Sequence, residues 1–136
     1  PHLILVLFGN IFGCLLVALL ARTSPLPLQE AAQSILEGRL AIGPLRGGLL
    51  AIGCGFIMTT AVTFARKGNI LPTLFGVPLF IVCGFPHCVA DAFYYLTVPT
   101  DFLFAHTGEI LCFYIAIVFG NFIGCNFYRL ITGASA

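Results

Sequence analysis

Residues 80–95 read Phe80-Ile-Val-Cys-Gly-Phe-Pro-His-Cys-Val-Ala-Asp-Ala-Phe-Tyr-Tyr95, and they sit inside an apolar run from Ile70 to Val98. The middle of that run holds residues a membrane helix ordinarily avoids: Gly84, Pro86, His87 and, one turn on, Asp91. An Asp at the centre of a membrane helix costs about 2.5–3.5 kcal/mol on insertion scales, so such residues face a cavity or a partner and mark function. Pro86 cannot donate a backbone hydrogen bond and clashes with the carbonyl four residues back. It also drives Phe85 away from helical angles, and Gly84 accepts whatever geometry results. The stretch therefore predicts two half-helices meeting near the bilayer centre, with Gly84 and Pro86 as the break. Pro86 is expected at the first position of the second half, where a missing N–H does no harm. Free N–H groups at that new N-terminus would carry partial positive charge and attract an anion. A simple proline kink with a histidine satisfied inside the bundle is the plainer alternative. Four such residues within two turns favour a pathway.

Composition sets the class. The 136 residues are 60% hydrophobic and 8% charged, against about 45–50% and about 25% in soluble domains. The chain is expected to be an all-α integral membrane protein whose solvent is the lipid bilayer. A net charge of +1 and the lack of a basic patch exclude nucleic acid as a partner. Met58 is the only methionine, and Pro1 stands directly before an apolar span. The sequence is accordingly expected to be a fragment of a longer protein or a processed product. No charged segment of the signal-peptide kind precedes that span. Cys14, Cys54, Cys83, Cys88, Cys112 and Cys125 all fall in apolar spans without a CxxC pair. They read as small hydrophobes, and no metal or other cofactor is expected.

Four spans follow from length, since about 20 apolar residues cross about 30 Å of hydrocarbon. They cover about 3–21, 47–65, 70–98 with the break near 84–87, and 109–130. Residues 22–46 interrupt the pattern with Pro25, Pro27, Gly43 and Pro44, and residues 28–38 read as a short amphipathic helix on the membrane surface. Arg66 to Asn69 is too short to cross anything, which makes the second and third spans an antiparallel hairpin. The second span is rich in glycine and threonine and so is expected to pack on other helices, although its threonines can also bond their own backbone. Charge does not fix the orientation: Arg66, Lys67 and Arg129 share one side, and Arg22, Arg39 and Arg46 the other.

One internal echo stands out. Val6-Leu-Phe-Gly-Asn-Ile-Phe-Gly-Cys14 matches Ile117-Val-Phe-Gly-Asn-Phe-Ile-Gly-Cys125 at Phe-Gly-Asn, Gly and Cys. Each copy carries a GxxxG face that allows a close helix approach. Internal repeats are common in transporters.

These motifs resemble those of the formate/nitrite transporter family. Gly84-Phe-Pro-His-Cys-Val-Ala-Asp-Ala-Phe93 is similar to its signature G-F-E-H-S-x-A-N/D-M-F, and Gly9-Asn-Ile-Phe-Gly13 and Gly120-Asn-Phe-Ile-Gly124 to its two G-N-x-x-G elements. The resemblance covers the whole chain and implies the third to sixth helices of a six-helix, aquaporin-like bundle with an inverted repeat and a broken pore helix. It implies a homopentamer in the cell membrane, multi-pass and in bacteria the inner membrane, in which each protomer conducts small monovalent anions such as formate, nitrite or hydrosulfide. By this resemblance His87 is the central pore histidine and Phe80 the aromatic of a hydrophobic constriction. Met58 stands where that constriction often has Val, Asn121 faces the pore from the last helix, and Arg39 corresponds to a vestibule cation. Pro86 departs from the usual Glu, and Cys54-Gly55 from the usual Cys-Asn.

The residues suit such a task. Burying a bare anion in an apolar passage is very costly, whereas the neutral acid of formate, nitrite or hydrosulfide crosses more easily. His87 titrates near physiological pH and can give the anion a proton or a hydrogen bond. Asp91, four residues on, either orients His87 or bonds elsewhere in the bundle. The protein is read as a non-enzyme that couples transport to a proton or works as a channel. The rival readings are a non-transporting structural membrane subunit and a haem-binding redox subunit. The second lacks a further axial ligand inside a span, because His2 and His106 lie at or beyond span ends.

Overall fold

The computed structural model describes residues 2–133, which form helices joined by short turns, with no strand among the described residues. In chain order they are α1 (His2–Arg22), α2 (Leu28–Arg66), α3 (Leu71–Val82), α4 (Cys88–Thr97), α5 (Thr100–Ala105) and α6 (Thr107–Thr132). α1, α2 and α6 are each long and apolar enough to cross a membrane. α3 and α4 are too short to do so alone, at about 18 Å and about 15 Å. Laid end to end, they match the hydrocarbon thickness.

α2 differs from the sequence expectation. The short surface helix and the span after it grow toward each other until a single residue separates them. Gly43, at φ 75° and ψ 161°, leaves helical geometry, and Pro44 follows. That backbone region belongs to glycine, and Pro44 has no N–H with which to continue the ladder. α2 is thus an arm (28–42) and a rod (44–66) meeting at a kink. Leu40, Ala41 and Ile42 contain no helix breaker, which is why the arm runs beyond residue 38. The rod is about 35 Å long, one membrane thickness.

The bundle is built on α2 against α6. Cβ atoms added at Gly120 and Gly124 would collide with the carbonyl oxygens of Gly48 and Ile52, and one added at Gly55 would collide with the carbonyl of Asn121. Here the two backbones lie in contact, as small-residue faces permit in a membrane. Just above, the Phe113 ring fills the space over Gly47. Leu36 of the arm, Ala51, Val98, Phe113 and Ile117 complete the core and are fully buried. α3 returns along α2, held by Thr73 Oγ1 donating to the Ala61 carbonyl at 3.1 Å. The turn before it uses Gly68 at φ 84° and Asn69 Oδ1, which accepts from the Leu71 N–H at 3.1 Å.

α1 behaves otherwise, although it carries the same Gly-Asn-x-x-Gly string. A Cβ at Gly9 or Gly13 would meet nothing within 4 Å, and Leu3, Leu5, Phe8 and Phe12 are exposed. It rests on α4 through Cys14 Sγ, which donates to the Val89 carbonyl at 3.4 Å. At its far end Arg22 donates to the Leu96 carbonyl at 3.2 Å and the Val98 carbonyl at 2.6 Å. Those are carbonyls that the end of α4 leaves open, where a cation is favoured.

Gly124→Val should disrupt the bundle more than Gly13→Val, because its Cβ meets backbone that cannot rotate away. Overpacking of about 1–3 kcal/mol or more is expected at Gly124 and almost none at Gly13. Thermal unfolding of the two variants in detergent checks this, and equal losses would refute it.

Candidate functional site

The break between α3 and α4 is closed on both sides. On the α3 side, Phe85 N–H donates to the Phe80 carbonyl at 2.9 Å and Gly84 N–H to the Ile81 carbonyl at 3.0 Å, with Gly84 at φ 67°. This is a Schellman ending, which needs a left-handed residue and so a glycine. Pro86, fully buried, carries the chain across. The sequence suggested it as the first helical residue; α4 instead begins two residues later, with His87 as its cap, extended at φ −123° and ψ 121°, and Cys88 as the first helical residue. His87 wins the cap because its ring can accept from the amides ahead of it, which proline cannot do.

Each of the first amides of α4 has a protein partner. His87 N–H donates to Asp91 Oδ2 at 2.8 Å, and Cys88 N–H to Asn121 Oδ1 at 2.8 Å. Val89 and Ala90 N–H both point at His87 Nδ1, at 3.2 and 3.4 Å. The first and last of these relations resemble a capping box, with an imidazole in place of a hydroxyl. The expectation of free amides awaiting an anion is therefore not met. What the site offers instead is the far nitrogen of His87. With Nδ1 accepting, the neutral ring carries its hydrogen on Nε2.

Phe80, 7% exposed, stacks on His87 with ring centroids 5.6 Å apart and planes 27° apart. Gly84 and Pro86 lie in the break itself. Asp91 is 1% exposed and faces two partners: Oδ2 takes the His87 N–H, and Oδ1 takes Arg39 Nε at 3.0 Å. Arg39 reaches on through Nη1 to the Gly84 carbonyl. Asp91 thus bonds the backbone of His87 rather than its ring, and pairs with Arg39 within the bundle.

Asn121, 7% exposed, joins three segments. Its Nδ2 donates to the Ala51 carbonyl at 2.8 Å and to the Pro86 carbonyl at 3.2 Å, while Oδ1 takes the Cys88 N–H. The amide is spent on backbone and so fastens the break to α2 and α6. Met58 is half-buried on α2, and among the described residues no hydrogen bond or ring contact joins it to Phe80 or His87. Residues that the sequence reading did not single out are Cys14 and Arg22, which seat α1 against α4. The signal for Arg22 was its position at a span end.

Asn121→Leu, similar in bulk, should leave Cys88 N–H and the Pro86 carbonyl without their partner. Each buried group so stranded costs about 1–3 kcal/mol. The expected result is a marked fall in melting temperature in detergent, larger than for Asn126→Leu, whose amide bonds only the Phe122 carbonyl one turn back. Equal stability of the two variants would contradict the bridging role.

No curated protein and no solved structure matched the chain. A sequence model of the family described as formate/nitrite transporter matches residues 1–133. The match spans nearly the whole chain, including the break, its cap and both Gly-Asn-x-x-Gly strings, and the chain belongs to the formate/nitrite transporter family.

Proposed function

We propose that the protein passes small monovalent anions (formate, nitrite or hydrosulfide) across the cell membrane along the break between α3 and α4. The observation that supports this is the placement of His87, capped into α4 by its own Nδ1, with Nε2 the ring donor left over, and stacked on Phe80. An anion at an apolar constriction loses its water, and one hydrogen bond to a charged group is worth about 1.5–3 kcal/mol. The Nε2–H group supplies that bond. Removing the only N–H proton from a neutral imidazole would leave an anion in the membrane, so His87 acts here as a hydrogen-bond donor. A proton that travels with the substrate comes from the water on either side, and the neutral acid crosses the constriction with less desolvation than its anion.

Phe80 forms the constriction and Met58 lines the same route from α2. Gly84 and Pro86 hold the break open, while Asn121 acts on the route as a positioning residue. In this reading α3 and α4 are the two halves of a broken pore helix in an aquaporin-like inverted repeat, of which the echo between residues 6–14 and 117–125 is the trace. The assembly is a homopentamer with a pore in each protomer. The family's activity supports transport over catalysis.

Two substitutions test the site in proteoliposomes. His87→Asn keeps a side chain that caps helices well and removes the Nε2–H donor. Flux of formate or nitrite should fall about 10-fold or more, matching the loss of a charged hydrogen bond of about 1.5–3 kcal/mol, with assembly preserved. Wild-type flux in assembled His87→Asn protein would overturn the reading. Phe80→Ala should instead raise leak and admit larger anions, at a packing cost of about 3–5 kcal/mol. An unchanged ratio of formate to lactate flux would remove Phe80 from the constriction.

A further inference from the structure

We propose that Arg39 is a positioning residue: it straps the arm of α2 across the helix break, so that the seating of residues 28–42 sets the geometry of His87. The inference rests on the transport reading above and adds a control to it.

Arg39 occupies the inward face of the arm, three residues after the fully buried Leu36 and four before the kink at Gly43. Its guanidinium spans the break. Nη1 donates to the Gly84 carbonyl, just past the end of α3, and Nε donates to Asp91 Oδ1, in the first turn of α4. Each charge complements a helix end, the cation at the C-terminus of α3 and the carboxylate at the N-terminus of α4. The other oxygen of Asp91 holds the His87 N–H at 2.8 Å. A displacement of the arm is therefore passed through one carboxylate to the backbone of the capping histidine. The arm is a helical unit of its own, because the ladder is interrupted at Gly43 and Pro44, and its seating rests on Leu36 in the core and on Arg39 across the break.

A plain charge-cancelling role predicts something different. If Arg39 served only to neutralise the buried Asp91, removing both charges would be harmless, since such pairs are often replaceable by neutral residues. The strap makes the opposite prediction. Arg39→Met/Asp91→Asn eliminates both charges and retains an acceptor for the His87 N–H, yet it unties the arm.

The test compares wild type, the double variant and His87→Asn, each assembled in liposomes. Formate flux and the imidazole 15N resonances are measured, with His87 assigned by its loss in His87→Asn. The double variant should lose about 10-fold in flux, within the usual range of coupling between sites. Its His87 signal should change from one Nε2–H tautomer to a mixture. If the double variant fails to assemble, Asp91→Asn alone is read the same way, because its single amide oxygen can accept from the His87 N–H or from Arg39 Nε but cannot join the two. Wild-type flux with a single tautomer in either variant would overturn the strap. If only His87→Asn loses flux, the strap fails and the transport reading stands; if His87→Asn keeps flux, the transport reading itself has failed.

Discussion

Everything in this structure depends on how the backbone is satisfied between Val82 and Cys88. Hydrocarbon offers no water to unpaired N–H and C=O groups, so non-helical backbone at membrane depth must be satisfied by protein or line a cavity. α3 closes itself with the Schellman bonds of Gly84 and Phe85. α4 is opened by His87 Nδ1, Asp91 Oδ2 and Asn121 Oδ1, which between them take the amides of residues 87 to 90. Few side chains can do this work, and one of them is the histidine proposed to meet substrate. The histidine is thus fixed in orientation and tautomer by the helix it begins.

That arrangement bears on the anion selectivity of the proposed route. A bare helix N-terminus would present several amides and a diffuse positive potential. Here the amides are consumed, and Arg39, the one cation at the break among the described residues, is paired with Asp91. The site is a single directed donor beside an aromatic ring. On the proposed route, such a site would favour a small anion that can shed part of its charge to a proton, because full desolvation of a permanent anion has little to offset it.

The two copies of the Phe-Gly-Asn-x-x-Gly-Cys string show how context decides what a motif does. On α6 its glycines admit the backbone of α2, and its asparagine reaches across to Ala51 and to the break. On α1 the glycines face open space and Asn10 is exposed, while only the cysteine finds a partner, on Val89. Identical residues are close-packed in one place and open in the other, since a GxxxG face packs only where a second helix lies against it.

The sequence by itself determined the helical membrane class, the position of the break and the family. These follow from local physics: the length and apolarity of the spans, the angles forbidden near Pro86, and motif residues adjacent in the chain. The short loop at Arg66–Asn69 fixed the hairpin in the same way. Only the tertiary structure decided that Asn121 bridges three segments, that Arg39 pairs with Asp91, and that the arm of α2 reaches the break. It also began α4 at Cys88, capped by His87, rather than at Pro86. Asn121 lies 33 residues from Cys88, and Arg39 lies 52 from Asp91. No periodicity encodes such distances. They are set by how closely α6 approaches α2 at Gly120 and Gly124, and by a single glycine at residue 43 that turns the arm back over the bundle.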